Sequence, residues 1–326
     1  MDILNPRSLR EEANRALARG RDPKKLVFTY AGIGLGLSVL MTLLDLWLEN
    51  EISGTGGLSN LGTRAIFSTA QEAIPILVGL LTMCLELGYL SGMLRISRGQ
   101  YADHTDLKVG FQKFWPLMRL SLLQSLLIMA VGILAVQLGG LLFAFTPWAE
   151  PAMNAVLALS TMDPAVLTEA DVLALLDHML PMYLIVAILF FLGMLPVLFR
   201  LRMAMFCLLD DPNGRAMAAI GTSNRMMRRR FGPMLKVDLS QWLYYAGTFL
   251  VLLILSSTLI LPLLNLPLPM DATAYYLLIS IAAAVLQFIV QVTLRNKVEA
   301  TYLSAYDRLR EKPKDDGVVL GNIFDM

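Results

Sequence analysis

Four ionisable residues stand inside or at the edge of long apolar runs. Glu86 lies in LLTMCLELGYL, Arg200 and Arg202 in FRLRMAMFCLLDDP, and Asp238 in LKVDLSQWLYY. If those runs cross a bilayer, an unpaired charge there costs at least about 2.5–3.5 kcal/mol, so acid and base must meet or line a wet cavity. Arg200 lies about ten residues, roughly 15 Å of helix, before Asp210. Glu86 lies a similar distance before Arg95. The two charges then share a depth, and the expectation is that Glu86 pairs with one of the arginines. Residues two apart on a helix diverge by about 200°, so the other arginine should reach inner headgroups or Asp238. Gln124, Gln241, Gln287 and Gln291 can join this layer through hydrogen bonds. Such a layer does one of two things. It locks helices in place, or it holds a proton or polar solute in the inner half of a bundle.

The elements that must position these residues are read from hydropathy. Of 326 residues, 56% are hydrophobic and 16% charged, with the net charge +1. Soluble domains carry about 25% charged residues, so lipid is the expected solvent. Near-neutral charge argues against a nucleic-acid partner. Six apolar runs reach the roughly 20 residues a span requires: about 26–48, 70–94, 117–145, 181–209, 235–264 and 273–295. Their backbones must be satisfied internally, which predicts helices. Pro75 and Pro196 should kink two of them. Alternate connections share 26 of the 27 basic residues, which puts both termini in the cytoplasm. The polar first 25 residues lack the pattern of a cleavable signal. The expected organisation is a cytoplasmic amphipathic helix over 1–25, a six-span domain over 26–311 and a cytoplasmic tail over 312–326.

Shorter pieces lie between the runs. Asn5-Pro6 and Asp211-Pro212 both read as helix starts, an N-cap followed by proline. The first helix should end at Gly20, with Leu9, Ala13, Ala16 and Leu17 on one face. The second should run to Gly232-Pro233 with Ala216, Ala219, Ile220, Ser223, Met226 and Met227 on its apolar face. Arg225, Arg228, Arg229 and Arg230 crowd its end and are candidate contacts for anionic lipid of the inner leaflet. Another piece should start near Asp106. Thr168 with Asp171 reads as a capping box for a short outer helix carrying Val172, Leu173, Leu176 and Met179. Gly32/Gly36 and Gly88/Gly92 have the spacing that lets helices approach closely.

Two segments resemble each other. KFWPLMRLSLLQSLL (113–127) and RFGPMLKVDLSQWLY (230–244) share Phe, Pro, Leu, Gln and Leu at fixed offsets. Both precede a run of the same orientation, as parallel internal repeats would.

Catalytic and metal constellations do not emerge. Cys84 and Cys207 sit in apolar runs without a CxxC, and His104 and His178 stand outside any HExxH frame. GIGLG follows no strand, and no GxSxG, GxGD or Walker motif occurs. No cofactor, metal or enzymatic chemistry is expected.

LREEANRAL, GFQKFW, FRLRMAMFCLLDDP with its downstream helix, and ATYLSAYDRL together resemble an uncharacterised bacterial membrane-protein family, domain-of-unknown-function family nine-seven-five. The resemblance implies a multi-span protein of the bacterial cytoplasmic membrane and supplies no activity or site residues. The expected fold is an all-α integral membrane bundle of six spans with cytoplasmic amphipathic helices. The expected function is permease-like or lipid-handling through the inner polar site. The alternative is a membrane assembly or regulatory scaffold that binds a membrane protein partner, or another copy of itself, through its surface helices.

Overall fold

The computed structural model describes residues 4–20, 23–54, 61–161, 169–211, 214–263 and 272–311. Those residues are helical, without a strand. Five stretches are long and apolar enough to cross a membrane: Pro23–Leu48, Gln71–Ser97, Phe114–Ala144, Asp177–Asp210 and Thr273–Glu311. A bent pair, Phe231–Ser240 with Trp242–Ser257, brings the number to six if it counts as one span. The helices fall into two compact units. One comprises 1–117, 205–215 and 228–326, the other 118–204 and 216–227.

In the first unit, α1 (Pro6–Arg19) begins where the sequence marks it. Asn5 caps it by accepting from the Arg7 N–H at 3.1 Å, and Gly20 closes it. Its apolar face packs within the protein. Leu9 and Ala13 are buried because α1 packs on α13 (Asn296–Glu311), where Arg308 reaches Glu12 and Ser8. Helix α2 (Pro23–Gly54) lies against both α3 (Leu61–Ser97) and α12 (Ala272–Val290). A 3-10 turn, His104–Lys108, and the short α4 (Val109–Gln112) cross α3. The cap of that turn is Asp103 rather than Asp106. Asp103 accepts from the His104 N–H, and Asp106 returns a bond to the Asp103 N–H. That leaves buried Asp106 free to pair with Arg95 at 2.7 Å.

Gly88 is obligatory here, since a Cβ would run into the Leu107 backbone, and Gly110 stands in the same relation to the Cys84 carbonyl. The Gly88/Gly92 spacing therefore serves close packing, against the Leu107 turn at Gly88 and against Leu26 of α2 at Gly92. Gly32 and Gly36 differ, for a Cβ on either would meet nothing within 4 Å.

In the second unit, α5 (Phe114–Ala144) packs its Gly139 against Val186 of α7 (Glu169–Leu201). Helix α6 (Ala149–Thr161) also packs on α7. The expected outer helix over 169–180 is continuous with the fourth run, and Thr168 lies outside the described residues. Helix α9 (Ala216–Met227) starts later and ends sooner than Asp211-Pro212 and Gly232-Pro233 suggest. Asp211 accepts instead from the Arg215 N–H. Arg229 takes φ 58° just past α9, and Gly232-Pro233 falls in the first turn of the next helix. Ala216, Ala219, Ser223 and Met227 are buried, so this face too packs within the protein.

Three runs depart from plain spans. The fourth breaks after Leu201 and resumes as the short α8 (Ala204–Asp210). The fifth splits into α10 (Phe231–Ser240) and α11 (Trp242–Leu263), bent by 72° at Gln241. The sixth does not end at Arg295. It passes through a widened π segment, Gln291–Arg295, straight into α13. The tail 312–326 lies outside the described residues.

Candidate functional site

The most heavily enclosed cation among the described residues of the first unit is Arg295, whose side chain is 7% exposed. The π segment delivers it, a feature that often marks functional positions in helices. Its Nη2 donates to Glu86 Oε1 at 2.8 Å, and its Nη1 donates to the Tyr30 hydroxyl at 3.0 Å. Its Nε faces Glu299 at 3.7 Å, one turn on. The guanidinium lies over the rings of Tyr30 and Tyr89, 4.7 Å and 5.0 Å from their centroids. Those rings stack on each other at 4.9 Å. Tyr89 donates to Asn296 Oδ1 at 2.8 Å, and Asn296 donates to the Pro23 carbonyl at 2.9 Å. Side chains of α2, α3 and α13 thus converge on the one guanidinium that the π segment carries. Two acids and two π faces offset the desolvation of a charge that could not otherwise stay buried.

A cavity of about 360 Å³ lies between α2, α3 and α12, and Tyr30 is shared between it and the arginine cluster. Its polar lining comes from Ser38, Thr82, Gln287 and Gln291, among leucines, Val78 and Phe288. The Ser38 and Thr82 hydroxyls donate to Gly34 and Val78 carbonyls of their own helices, so each turns acceptor capacity to a ligand. Gln287 Oε1 is buried and accepts no hydrogen bond among the described residues. The lining includes no Asp, Glu, Lys, Arg or His. Such a space matches a neutral polar group with an apolar body.

The predicted layer is brought together only in part. Glu86 pairs with Arg295, a cation the sequence does not single out. Asp238 accepts from the Tyr302 hydroxyl at 2.7 Å, and Gln241 donates to Thr301 Oγ1 at 3.2 Å. Gln291 reaches the cavity wall. Gln124 lies half-buried on α5, in the second unit, as do Arg200 and Arg202. The two arginines flank a helix break. α7 stops at Leu201, and the Ser223 hydroxyl spans the gap, accepting from the Met203 N–H at 3.1 Å and donating to the Arg200 carbonyl at 2.6 Å. Arg200 is exposed, and the Arg202 guanidinium sits 5.9 Å from the Phe199 ring. Arg225, Arg228 and Arg229 are exposed, while Arg230 is half-buried.

Outside the apolar stretches, the backbone N–H of His104 holds the Asp103 carboxyl below its usual range. Hydrogen bonds to Asp210 hold Arg98 above the usual guanidinium range. No group of three or more His, Cys, Asp or Glu able to hold a metal occurs among the described residues.

Arg295, Tyr30, Tyr89 and Glu299 are absent from the sequence reading, because an arginine just past an apolar run is counted as headgroup-facing. A signal was present. Val298, Tyr302, Ala305, Tyr306 and Leu309 continue a helical stripe beyond Arg295, and Arg295/Glu299 is an i,i+4 pair. No family model matches the chain, and neither a curated protein nor a solved structure matches it.

Proposed function

We propose that the chain is a multi-pass protein of the bacterial cytoplasmic membrane, with six spans and both termini inside, that binds a small neutral polar solute or a lipid neck. The observation that carries this reading is the 360 Å³ cavity whose Tyr30 hydroxyl is also a ligand of buried Arg295. The role is permease-like or lipid-handling, and no bond-making chemistry is needed for it. Gln287 and Gln291 supply donors and acceptors to the solute, and Ser38 and Thr82 supply acceptors. Arg295 with Glu86 orients Tyr30. Arg225, Arg228, Arg229 and Arg230 contact anionic inner-leaflet lipid.

Cysteine access tests the reading. Ser38→Cys and Thr82→Cys, each in a Cys84→Ala, Cys207→Ala background, are reacted with a membrane-impermeant maleimide in intact cells and in inverted vesicles. Labelling from either side, slowed by Gln291→Leu, is the expected result. Silence at both positions from both sides means a dry seam and overturns it. The second reading, a scaffold for another membrane protein or a second copy, is favoured by the open faces of Gly32 and Gly36, where a partner helix could approach. The likeness to family nine-seven-five, which no family model supports, adds no activity to either reading.

A further inference from the structure

A second pocket, of about 400 Å³ and half open, is lined by α1, the end of α3 and the last turns of α13. Its wall holds Arg15, Arg19, Arg98 and Arg308 against Glu12, Asp307 and Glu311, four cations to three anions. Most of these charges are already committed to one another. Arg308 grips Glu12 through Nε at 2.9 Å and Nη2 at 2.8 Å. Arg98 grips Asp210 at 2.7 Å and 2.8 Å and reaches Asp307 at 3.3 Å. Arg15 and Arg19 are different. They stand one turn apart on α1, both exposed, and neither forms an ion pair among the described residues. The Arg15 Nε reaches only the Glu11 carbonyl, at 3.3 Å. α1 cannot swing these two away, because Leu9, Ala13 and the Arg308–Glu12 pair fix it on α13. Two guanidiniums with spare donors therefore stand on an anchored helix at a concave site, and guanidinium geometry favours planar, bidentate oxyanions. A pocket of this size accepts a phosphorylated small molecule.

We propose that this pocket binds a phosphate-bearing anion, with Arg15 and Arg19 as its clamp. The phosphate comes from a soluble metabolite or from a lipid headgroup. The site is separate from the neutral cavity and does not depend on that reading. Glu311, the remaining carboxylate in the wall, opposes the ligand, so the charge logic has two signs.

The test uses the full chain, purified in neutral detergent. Inorganic pyrophosphate is titrated by calorimetry at fixed ionic strength. In parallel, nanodiscs of phosphatidylcholine with and without phosphatidic acid are compared by thermal unfolding. Saturable pyrophosphate binding identifies a soluble source, and stabilisation only by phosphatidic acid identifies a headgroup. In either case Arg15→Gln with Arg19→Gln should weaken the effect by about tenfold or more, the worth of one charge-assisted bond. Glu311→Gln should strengthen it, and Lys236→Gln, a charge control on α10, should leave it unchanged. Both arginines are exposed, so the double variant should melt like the parent without ligand. Absence of both effects overturns the proposal. So does an unchanged affinity in the double variant, or a loss in Lys236→Gln equal to that in the double variant.

Discussion

The segments 113–127 and 230–244 start alike and end differently. Each helix begins at the shared phenylalanine, Phe114 for α5 and Phe231 for α10, with Pro116 and Pro233 in the first turn. There the missing proline N–H has no helical partner to lose. Past that point α5 runs unbroken to Ala144 through Gln124, whereas α10 stops and the chain bends by 72° at the equivalent Gln241. The difference lies in what each segment can grip. Asp238 accepts from Tyr302, the Tyr245 hydroxyl lies 2.6 Å from that of Tyr302, and Gln241 holds Thr301. The counterparts of Asp238 and Tyr245 are Ser121 and Ile128. A common start fixes where a helix begins, while polar hooks on a neighbouring helix decide whether it stays straight.

The comparison can be broken hardest at its anchor. Arg295→Met strands the Glu299 carboxylate on α13 and takes the cation from Glu86 on α3; Glu86 is 40% exposed, so the loss should fall at the lower end of the range for a broken buried pair, about 3 kcal/mol. Hydrogen exchange should show α10, α11 and α13 opening while α5 stays protected. Equal loss of protection in α5 would contradict the asymmetry. Next, Tyr302→Phe removes the hook shared by Asp238 and Tyr245, at about 1–3 kcal/mol for the stranded groups. A spin-label pair flanking Gln241 should then report a straighter helix. The Ser121→Ala counterpart should stay within about 0.5 kcal/mol, measured by denaturation in mixed micelles. Gln241→Ala should cost about 0.5–1.5 kcal/mol, while Gln124→Ala, whose side chain makes no hydrogen bond among the described residues, should cost less. The smallest effect sharpens the shared half: Pro116→Ala and Pro233→Ala should each move stability by no more than about 0.5 kcal/mol and by the same sign. A large loss in one alone would mean the two starts are not equivalent.

What could be read from sequence were the features with local causes. Hydropathy gives the helical class and most of the long stretches. Asn5-Pro6 and Gly20 give α1 to the residue, because capping depends on neighbours alone. Asp211-Pro212 misled because Asp211 found a partner at Arg215 without starting a helix at once. The site was half legible. Glu86 announces itself as an acid in an apolar run, but its partner is set by helix rotation, and a π segment alters rotation without changing composition. Arg200 and Arg202 drew attention as buried charges, yet they flank a backbone gap that Ser223, over twenty residues on, bridges. Counting lysines and arginines by connection cannot see that Arg295 turns inward.

The rod Thr273–Glu311 has 39 residues, so it is about 58 Å long, nearly twice a hydrocarbon core. Its widened turn carries one surplus residue, which rotates everything beyond it by about 100° around the axis. Removing Thr293 would take out the surplus residue, so the turn would close to ordinary winding and Arg295 and Tyr302 would keep the faces they now hold. One residue added to α12, with no second widened turn to absorb it, would instead aim Arg295 away from its acids and Tyr302 away from the bend. The rod therefore tolerates the loss of one residue inside the widened turn and not the gain of one outside it.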